Sequence, residues 1–376
     1  MTERELPGLL EHFAELPDPR DPRGVRHELV DIVCISILAV ICGANTYSQI
    51  HQYALAQEAW LRTFLRLPSG IPSQDTFERI FSLLDPDAWQ GAFLSWTKTL
   101  VLPDLSEGED EILAVDGKTA RGSAAEGLGA LHTVSIWSSQ FEVVLAQTQV
   151  PEKTNEITVI PTLVELVNPA GAVVTTDALG TQKQIAWSIR EHQAHYLLAL
   201  KENHPTLFED VQDFFDYADK VDSELEHSYA QTSERAHGRN EVRQCWVLAA
   251  PPWLHEYEAW RDLSSIVKVS ATRTVHQHTS EHTRYFLSSL PLSAERALRA
   301  ARFHWGVENG LHWVLDVAFD EDRSQVRLKH AQVTWVAIRH LAINLLKRDK
   351  TLRVGVEAKR LRAGWDRAYL RQLLQA

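Results

Sequence analysis

The sequence predicts a mixed α+β chain, with an all-α N-terminal domain, a strand-and-helix core, a β-rich insertion and C-terminal helices. Three observations predict it. Residues 1–101 repeat apolar residues at helical rather than strand spacing. Short apolar runs then alternate with helical stretches from Ile112 to Leu200, the pattern of a mixed sheet flanked by helices. Strand-like segments dominate 205–292, and helical spacing returns from Ser293 to the end. The expected domains are 1–101, 111–204, 205–292 and 293–376.

In the first domain, Leu29 to Cys42 is apolar except for Asp31 and too short to cross a membrane, so it predicts a buried helix. Thr46 to Leu65 predicts a second helix. The break Pro68-Ser69-Gly70-Ile71-Pro72 follows, and Ser73 or Asp75 is a plausible N-cap for a third, with Phe77, Ile80, Phe81 and Leu84 as its apolar stripe. Two helices joined by a short turn fit a helix-turn-helix reader or plain packing; packing is the preferred reading. The acidic stretch Leu102 to Glu111 reads as a linker. Strands are expected at Ile112–Val115, Thr133–Trp137, Val143–Val150, Ala172–Val174 and His195–Leu200, with helices at Glu156–Val167 and Gln182–His192. Their order matches a five-stranded RNase H-like core. In the insertion, a helix near Leu207–Tyr217 precedes strands at Val242–Ala249, Ser265–Ala271 and Thr283–Ser289.

Composition sets the class. Apolar residues make up 44% and charged residues 23%, an ordinary globular balance. Three cysteines, Cys34, Cys42 and Cys245, form no CxxC pair, and their odd number argues against a disulfide framework; a cytoplasmic, nucleoid-associated protein is expected. The net charge of −12 argues against a nucleic-acid partner until its distribution is read. From Asp322 onward, 13 Lys and Arg face 4 Asp and Glu, so this block carries +9 and the rest of the chain −21. Such a block suggests an anionic partner or a solvated helix face.

Asp116 and Asp177 each follow an apolar strand. Two carboxylates at neighbouring strand ends can hold hard divalent cations, although aspartates there also serve as turn or cap residues. Glu308 lies in an aromatic segment running from His304 to Trp313, where His304, Glu308 and His312 recur every four residues on one helix face. A zinc site on that face would lack HExxH spacing and a further local ligand. A two-carboxylate glycosidase would need a sugar cleft, for which the tryptophans are weak support.

Ala114-Val115-Asp116-Gly117-Lys118, Thr176-Asp177-Ala178-Leu179-Gly180-Thr181-Gln182 and the His304–Trp313 segment resemble the three signature blocks of H-repeat-associated (ISAs-type) insertion-sequence DDE transposases. Residues 18–24, Ile71–Asp85, Leu198–Lys201 and His237–Arg243 match further family segments in order. The resemblance implies that Asp116, Asp177 and Glu308 are the catalytic, metal-binding acids, holding two Mg2+ or Mn2+ ions. It implies hydrolysis of a phosphodiester at transposon ends and transfer of the 3′-hydroxyl into target DNA. The implied partners are double-stranded DNA, as terminal inverted repeats and target, and a second copy of the chain in a synaptic homodimer. The first domain would then bind DNA ends. Lys118, Arg121, Lys201, Arg239, Arg323, Arg327 and Lys329 are expected to contact DNA, with Arg323, Arg327 and His330 on one helix face. A domesticated, catalytically inactive DNA-binding derivative is the alternative. Positions that carry Tyr, Arg and Lys around the last acid in other insertion-bearing DDE enzymes hold Ala301, His304 and Leu315, which puts a hairpin pathway and its base contacts in doubt.

Overall fold

Apolar periodicity and caps set the N-terminal helices. The computed structural model describes residues 8–101, 110–124, 129–151, 154–221, 225–236, 238–275, 278–324, 326 and 329–375. Residues 102–109 of the expected linker, His237 and Arg327 lie outside these residues. A short helix α1 (Gly8–Glu11) leads to α2 (Leu29–Ile41), α3 (Tyr47–Leu61), α4 (Gln74–Leu83) and α5 (Pro86–Val101). Thr46 and Ser73 cap α3 and α4, each accepting a backbone N–H three residues on. The lone acid of α2, Asp31, is buried and accepts the Leu67 N–H at 2.9 Å, which anchors the loop between α3 and α4. Phe77, Ile80 and Phe81 of α4 face the core, in accord with packing.

The core follows as β1 (Ile112–Ala120), β2 (Leu131–Ser138), β3 (Val143–Gln149), α6 (Ile160–Val167), β4 (Val173–Thr176), α7 (Lys183–Glu191) and β5 (His195–Leu200). Then come α8 (Pro205–Val221), β6 (His227–Ala236), β7 (Arg239–Ala249), β8 (Ser265–Val275) and β9 (His278–Ser288). The chain ends in α9 (Ala294–His304), α10 (Trp313–Ala318), α11 (Lys329–Arg348), α12 (Val356–Trp365) and α13 (Arg367–Leu373). Strand order in the sheet is β3-β2-β1-β4-β5-β9-β8-β7-β6. Antiparallel β3, β2 and β1 followed by parallel β4 and β5 is the RNase H-like arrangement the sequence predicts.

The insertion is not a separate sheet. Its last strand, β9, pairs antiparallel with β5, so four further strands extend the core sheet to nine. The first of them, β6, has no counterpart among the expected strands: His227–Ala236 is an edge strand whose side chains from 227 to 235 alternate between exposed and half-buried, so it has no apolar face to announce it.

At the other edge, α11 covers β3. The Asn344 side-chain amide accepts the Val144 N–H and donates to the Val144 carbonyl, both at 2.8 Å, and so takes the place of a neighbouring strand. Trp335 on the same helix is buried against Tyr47, ring centroids 5.1 Å apart, and Phe81. The N-terminal helices thus share one hydrophobic core with the sheet.

Two expectations are corrected here. Arg323 and His330 do not share a helix face, and Arg327 lies outside the described residues. Arg323 closes a 3-10 turn, Glu321–Arg323, the backbone is extended at Ser324, and α11 begins only at Lys329. The basic C-terminal block is also largely engaged internally. Arg339, Lys359 and Arg360 are buried; Lys359 donates to the carbonyls of Leu346 and Asp349, and Arg360 donates to Val40 O at 2.8 Å while lying 4.0 Å over the Phe319 ring. Lys347 and Lys350 both pair with Glu142, and Arg348 donates to Leu100 O. Like-signed residues in sequence here serve as helix-end and loop ties. No helix among the described residues is long and apolar enough to cross a membrane.

Candidate active site

Parallel pairing places the two aspartates. β1 and β4 pair in register through Val115 and Thr176, and Asp116 and Asp177 are the next residue of each chain segment. Asp116 is not the end of its strand, as the apolar run alone suggests. β1 runs on to Ala120 because its other neighbour, β2, pairs with it that far. β4 does end, and Asp177 opens a loop in which its carboxylate accepts the Gly180 N–H at 3.1 Å. Thr181 donates to Ala199 O at 2.6 Å and Asn203 to Ala178 O at 2.7 Å, which ties that loop to the end of β5.

The helix carrying Glu308 is interrupted. After α9, residues Glu308–His312 form one π-helical turn closed by the Trp313 N–H on the Glu308 carbonyl. This turn buries Leu311 and His312 and leaves Glu308 open to solvent. Gly310 permits its close approach to the sheet, since a Cβ there would lie 3.0 Å from the Trp137 ring. Trp305 and Trp313 flank the turn and are substantially exposed, 45% and 60%, so the aromatic segment is not simply a packed one.

Asp116, Glu308 and His312 converge, each with a ligand-capable atom within 4.8 Å of the others. His312 Nδ1 lies 3.6 Å from Asp116 Oδ2 and 3.5 Å from Glu308 Oε2. Burial, then the charge of Glu308, and further those of Asp177 and Glu156, push the Asp116 carboxyl up to about 7. Asp177 acts electrostatically on Asp116 and on His304, whose Nδ1 is 2.9 Å from Thr175 Oγ1 and whose pKa burial pushes down to about 4. Two carboxylates and an imidazole around one point, one acid held protonated by burial and neighbouring negative charge, fit a divalent cation in donor type and spacing.

The raised Asp116 pKa has a definite linkage sign. The folded carboxyl holds a proton up to about pH 7, whereas an unperturbed one releases it near 3.8. Its contribution to metal-free stability is therefore present at low pH and lost as pH rises to about 7. A cation must displace that proton, so Mn2+ affinity should rise with pH up to about 7 and level off above it. Calorimetric titration of Mn2+ at pH 6, 7 and 8 tests this; a pH-independent affinity with no proton release would contradict it.

Two residues without a sequence signal complete the surroundings. His132 Nε2 lies 2.6 Å from Glu156 Oε1, and its Nδ1 is 2.8 Å from Thr119 Oγ1. This pair rests on Gly117, where a Cβ would fall 2.1 Å from Glu156 Oε1. Gly117→Ala should therefore displace Glu156, destabilise the protein by about 1–3 kcal/mol as overpacking does, and disturb Asp116 next to it. Chemical denaturation measures the cost, and an unchanged midpoint would contradict the close contact. His132 and Glu156 come together only through pairing between distant segments, which no local pattern announces.

The residues expected to contact DNA are dispersed. Lys118 is mostly buried and donates to both Asp316 oxygens at 2.7 and 2.8 Å, with Glu321 at 4.0 Å. It ties β1 to α10 rather than facing solvent. Arg121 and Arg323 are exposed on neighbouring turns, brought together where Arg121 N donates to Asp322 Oδ1 and Gly122 touches the Asp322 backbone. Lys201 is exposed just past β5. Arg239 lines a groove between β7–β9 and α9 with Arg273, Arg284 and Arg302; Trp305 and Asn309, next to Glu308 in sequence, line it too. Lys329 begins α11.

With this geometry in place, comparison supplies the class. Residues 107–345 match the family model described as transposase DDE domain, and residues 10–97 match a DDE_Tnp_1-associated model. The chain belongs to the DDE transposase family. It is 35% identical over 378 residues to the "H repeat-associated putative transposase YhhI" of Escherichia coli (strain K12), covering 98% of each chain. It is 34% identical to the "Putative transposase YncI" of Escherichia coli O157:H7, covering 98% of this chain and 95% of that one. The solved piggyBac transposase, in a synaptic complex with hairpin DNA, aligns with a TM-score of 0.43 and 10% identity over 99% of this chain and 83% of its own.

Proposed function

We propose that this chain is an active transposase that hydrolyses phosphodiesters at transposon ends and transfers the resulting 3′-hydroxyl to target DNA, using Asp116, Asp177 and Glu308. The observation that carries the reading is the convergence of Asp116 and Glu308, with Asp177 one register step beside Asp116. Two bound Mg2+ or Mn2+ ions would supply charge stabilisation at the reacting phosphate and activation of the attacking oxygen. Asp116, which feels the charge of both other acids, would hold the ions together with them. Glu308 stands at the open side, where substrate approaches. His304, half-buried and neutral, backs the Asp177 loop through Thr175. Lys118 and Asp316 hold the strand of Asp116 to the helix that follows Glu308.

In this reading the DNA approaches over the arginine groove. Arg239 and Arg273 present cations on the extended sheet, and the exposed Arg121, Arg323 and Lys201 offer further phosphate contacts. The acidic remainder of the chain repels the duplex elsewhere. Replacing Arg239 and Arg273 together by Ala should make the log–log salt dependence of end binding shallower by about 2, at roughly 0.9 per phosphate contact. An unchanged slope would remove the groove from the DNA path.

The direct test is nicking of a supercoiled plasmid bearing the element's own ends. Strand breaks that require Mg2+ or Mn2+, leave 3′-hydroxyl ends and proceed to joined products are expected. Absence of metal-dependent breaks from folded, end-binding protein would overturn the proposal.

A further inference from the structure

We propose that His312 is a direct nitrogen ligand to one of the divalent cations, with His340 behind it as the residue that positions its ring. The inference rests on the reading of Asp116 and Glu308 as metal ligands and adds to it a donor of a different kind.

Spacing is the first argument. His312 Nδ1 lies 3.6 Å from Asp116 Oδ2 and 3.5 Å from Glu308 Oε2. Both separations exceed an ordinary N–H···O bond of about 2.7–3.2 Å. They suit donor atoms that share one cation at bonds of about 2.0–2.2 Å, where neighbouring ligands stand roughly 3–3.5 Å apart. All three donor atoms fall within 4.8 Å of one another.

The second argument is a pair of orphaned nitrogens. His312 is buried and its Nε2 has no hydrogen-bond partner among the described residues; the fully buried His340 Nδ1 has none either. The two rings are neighbours, close enough to influence each other's charge. A histidine that binds metal through Nδ1 must carry its proton on Nε2, and ligating histidines ordinarily donate that second N–H to an acceptor. His340 Nδ1 is such an acceptor. Direct ligation through Nδ1, with the Nε2–H donated to His340 Nδ1, therefore accounts for both orphaned atoms with one tautomer. It also gives the π turn a purpose, since that turn places His312 inward beneath Glu308.

One imidazole among carboxylates shifts metal choice. Mg2+ favours an all-oxygen shell, whereas a mixed nitrogen and oxygen set binds Mn2+ relatively better. The experiment loads the full-length protein with one equivalent of Mn2+ and records its electron spin-echo modulation, first with natural and then with 15N-labelled histidine. A nitrogen modulation that changes on labelling, and that disappears in His312→Ala while Mn2+ still binds about tenfold or more weakly, is expected. Mg2+ affinity should fall less than Mn2+ affinity in that variant. If His312→Ala fails to fold, His304→Gln decides the question: histidine modulation that persists there supports His312, and modulation lost there overturns the assignment. Bound Mn2+ without histidine modulation, or modulation that persists in His312→Ala, as from His304, would overturn the assignment. Should Asp116→Asn lose Mn2+ while the wild type shows no nitrogen, the acid reading stands and the His312 proposal fails. A wild type that binds no Mn2+ sinks both.

Discussion

Asp116→Asn, Asp177→Asn and Glu308→Gln should each lower end cleavage by more than about a hundredfold, because even changes behind a metal ligand cost about 10–100-fold. Binding to end DNA should change little. Each substitution keeps the volume of the side chain and removes one charged ligand, so the fold has no cavity to absorb. Asp116→Asn carries a second signature. The carboxyl it replaces is raised to about 7 by burial and by the neighbouring acids. Removing it abolishes the proton that a cation must displace, so any residual Mn2+ binding should lose its pH dependence between about 6 and 7. Metal-free stability should likewise cease to fall over that range. The measurements are gel-resolved cleavage of a labelled end duplex, filter binding of the same duplex, and thermal unfolding against pH. Near wild-type cleavage by any one variant would remove that residue from the site. A parallel loss of DNA binding would point to misfolding in place of lost chemistry.

Much of this site is legible in the sequence because its parts are local. An apolar strand leading into an acid occurs twice and an acid stands within an aromatic helix; these short-range patterns make Asp116, Asp177 and Glu308 candidates, and the resemblance to DDE transposases singles them out. The five-stranded order is legible for the same reason, since each strand or helix announces itself by its own period. What escapes is set by contacts between distant segments. The length of β1 beyond Asp116 depends on pairing with β2, and the union of the insertion with the core sheet depends on β9 meeting β5. Lys118 looks like a DNA contact from its neighbours in sequence because its partner, Asp316, is 198 residues away. The basic C-terminal block misleads for a related reason. Charge counted along a chain does not distinguish a cation facing solvent from one capping a buried carbonyl, as Lys359 and Arg360 do. The interruption at Glu308–His312 is invisible because a π turn keeps much of the helical spacing while changing which residues point inward.

Arg339→Met should destabilise the protein by about 3–5 kcal/mol, the usual cost of leaving one partner of a buried ion pair alone. Arg339 and Glu321 are each about 1% exposed, with Arg339 Nη1 3.5 Å from Glu321 Oε1. Burial drives the Glu321 carboxyl upward and the Arg339 guanidinium downward, each opposed by the other's charge. Lys118, at 4.0 Å from Glu321, is too distant to replace the guanidinium and is already held by Asp316. The pair is itself incompletely satisfied: Arg339 Nε and Nη2 have no hydrogen-bond partner among the described residues. Its removal as a unit should therefore cost much less than breaking it. Glu321→Leu combined with Arg339→Met is expected to recover most of the loss, giving a coupling of a few kcal/mol in the double-mutant cycle. The cycle also bears on the active site, because Glu321 opens the turn that follows α10 and packs beside Lys118, which secures the strand of Asp116. Arg339→Met should accordingly weaken Mn2+ binding while the double variant restores it. Urea denaturation of the four proteins, with Mn2+ titrations alongside, decides the matter. Equal stability of Arg339→Met and the double variant would show that the lone carboxylate finds water or a proton at no cost, and that this pair does not tie the turn after α10 to α11.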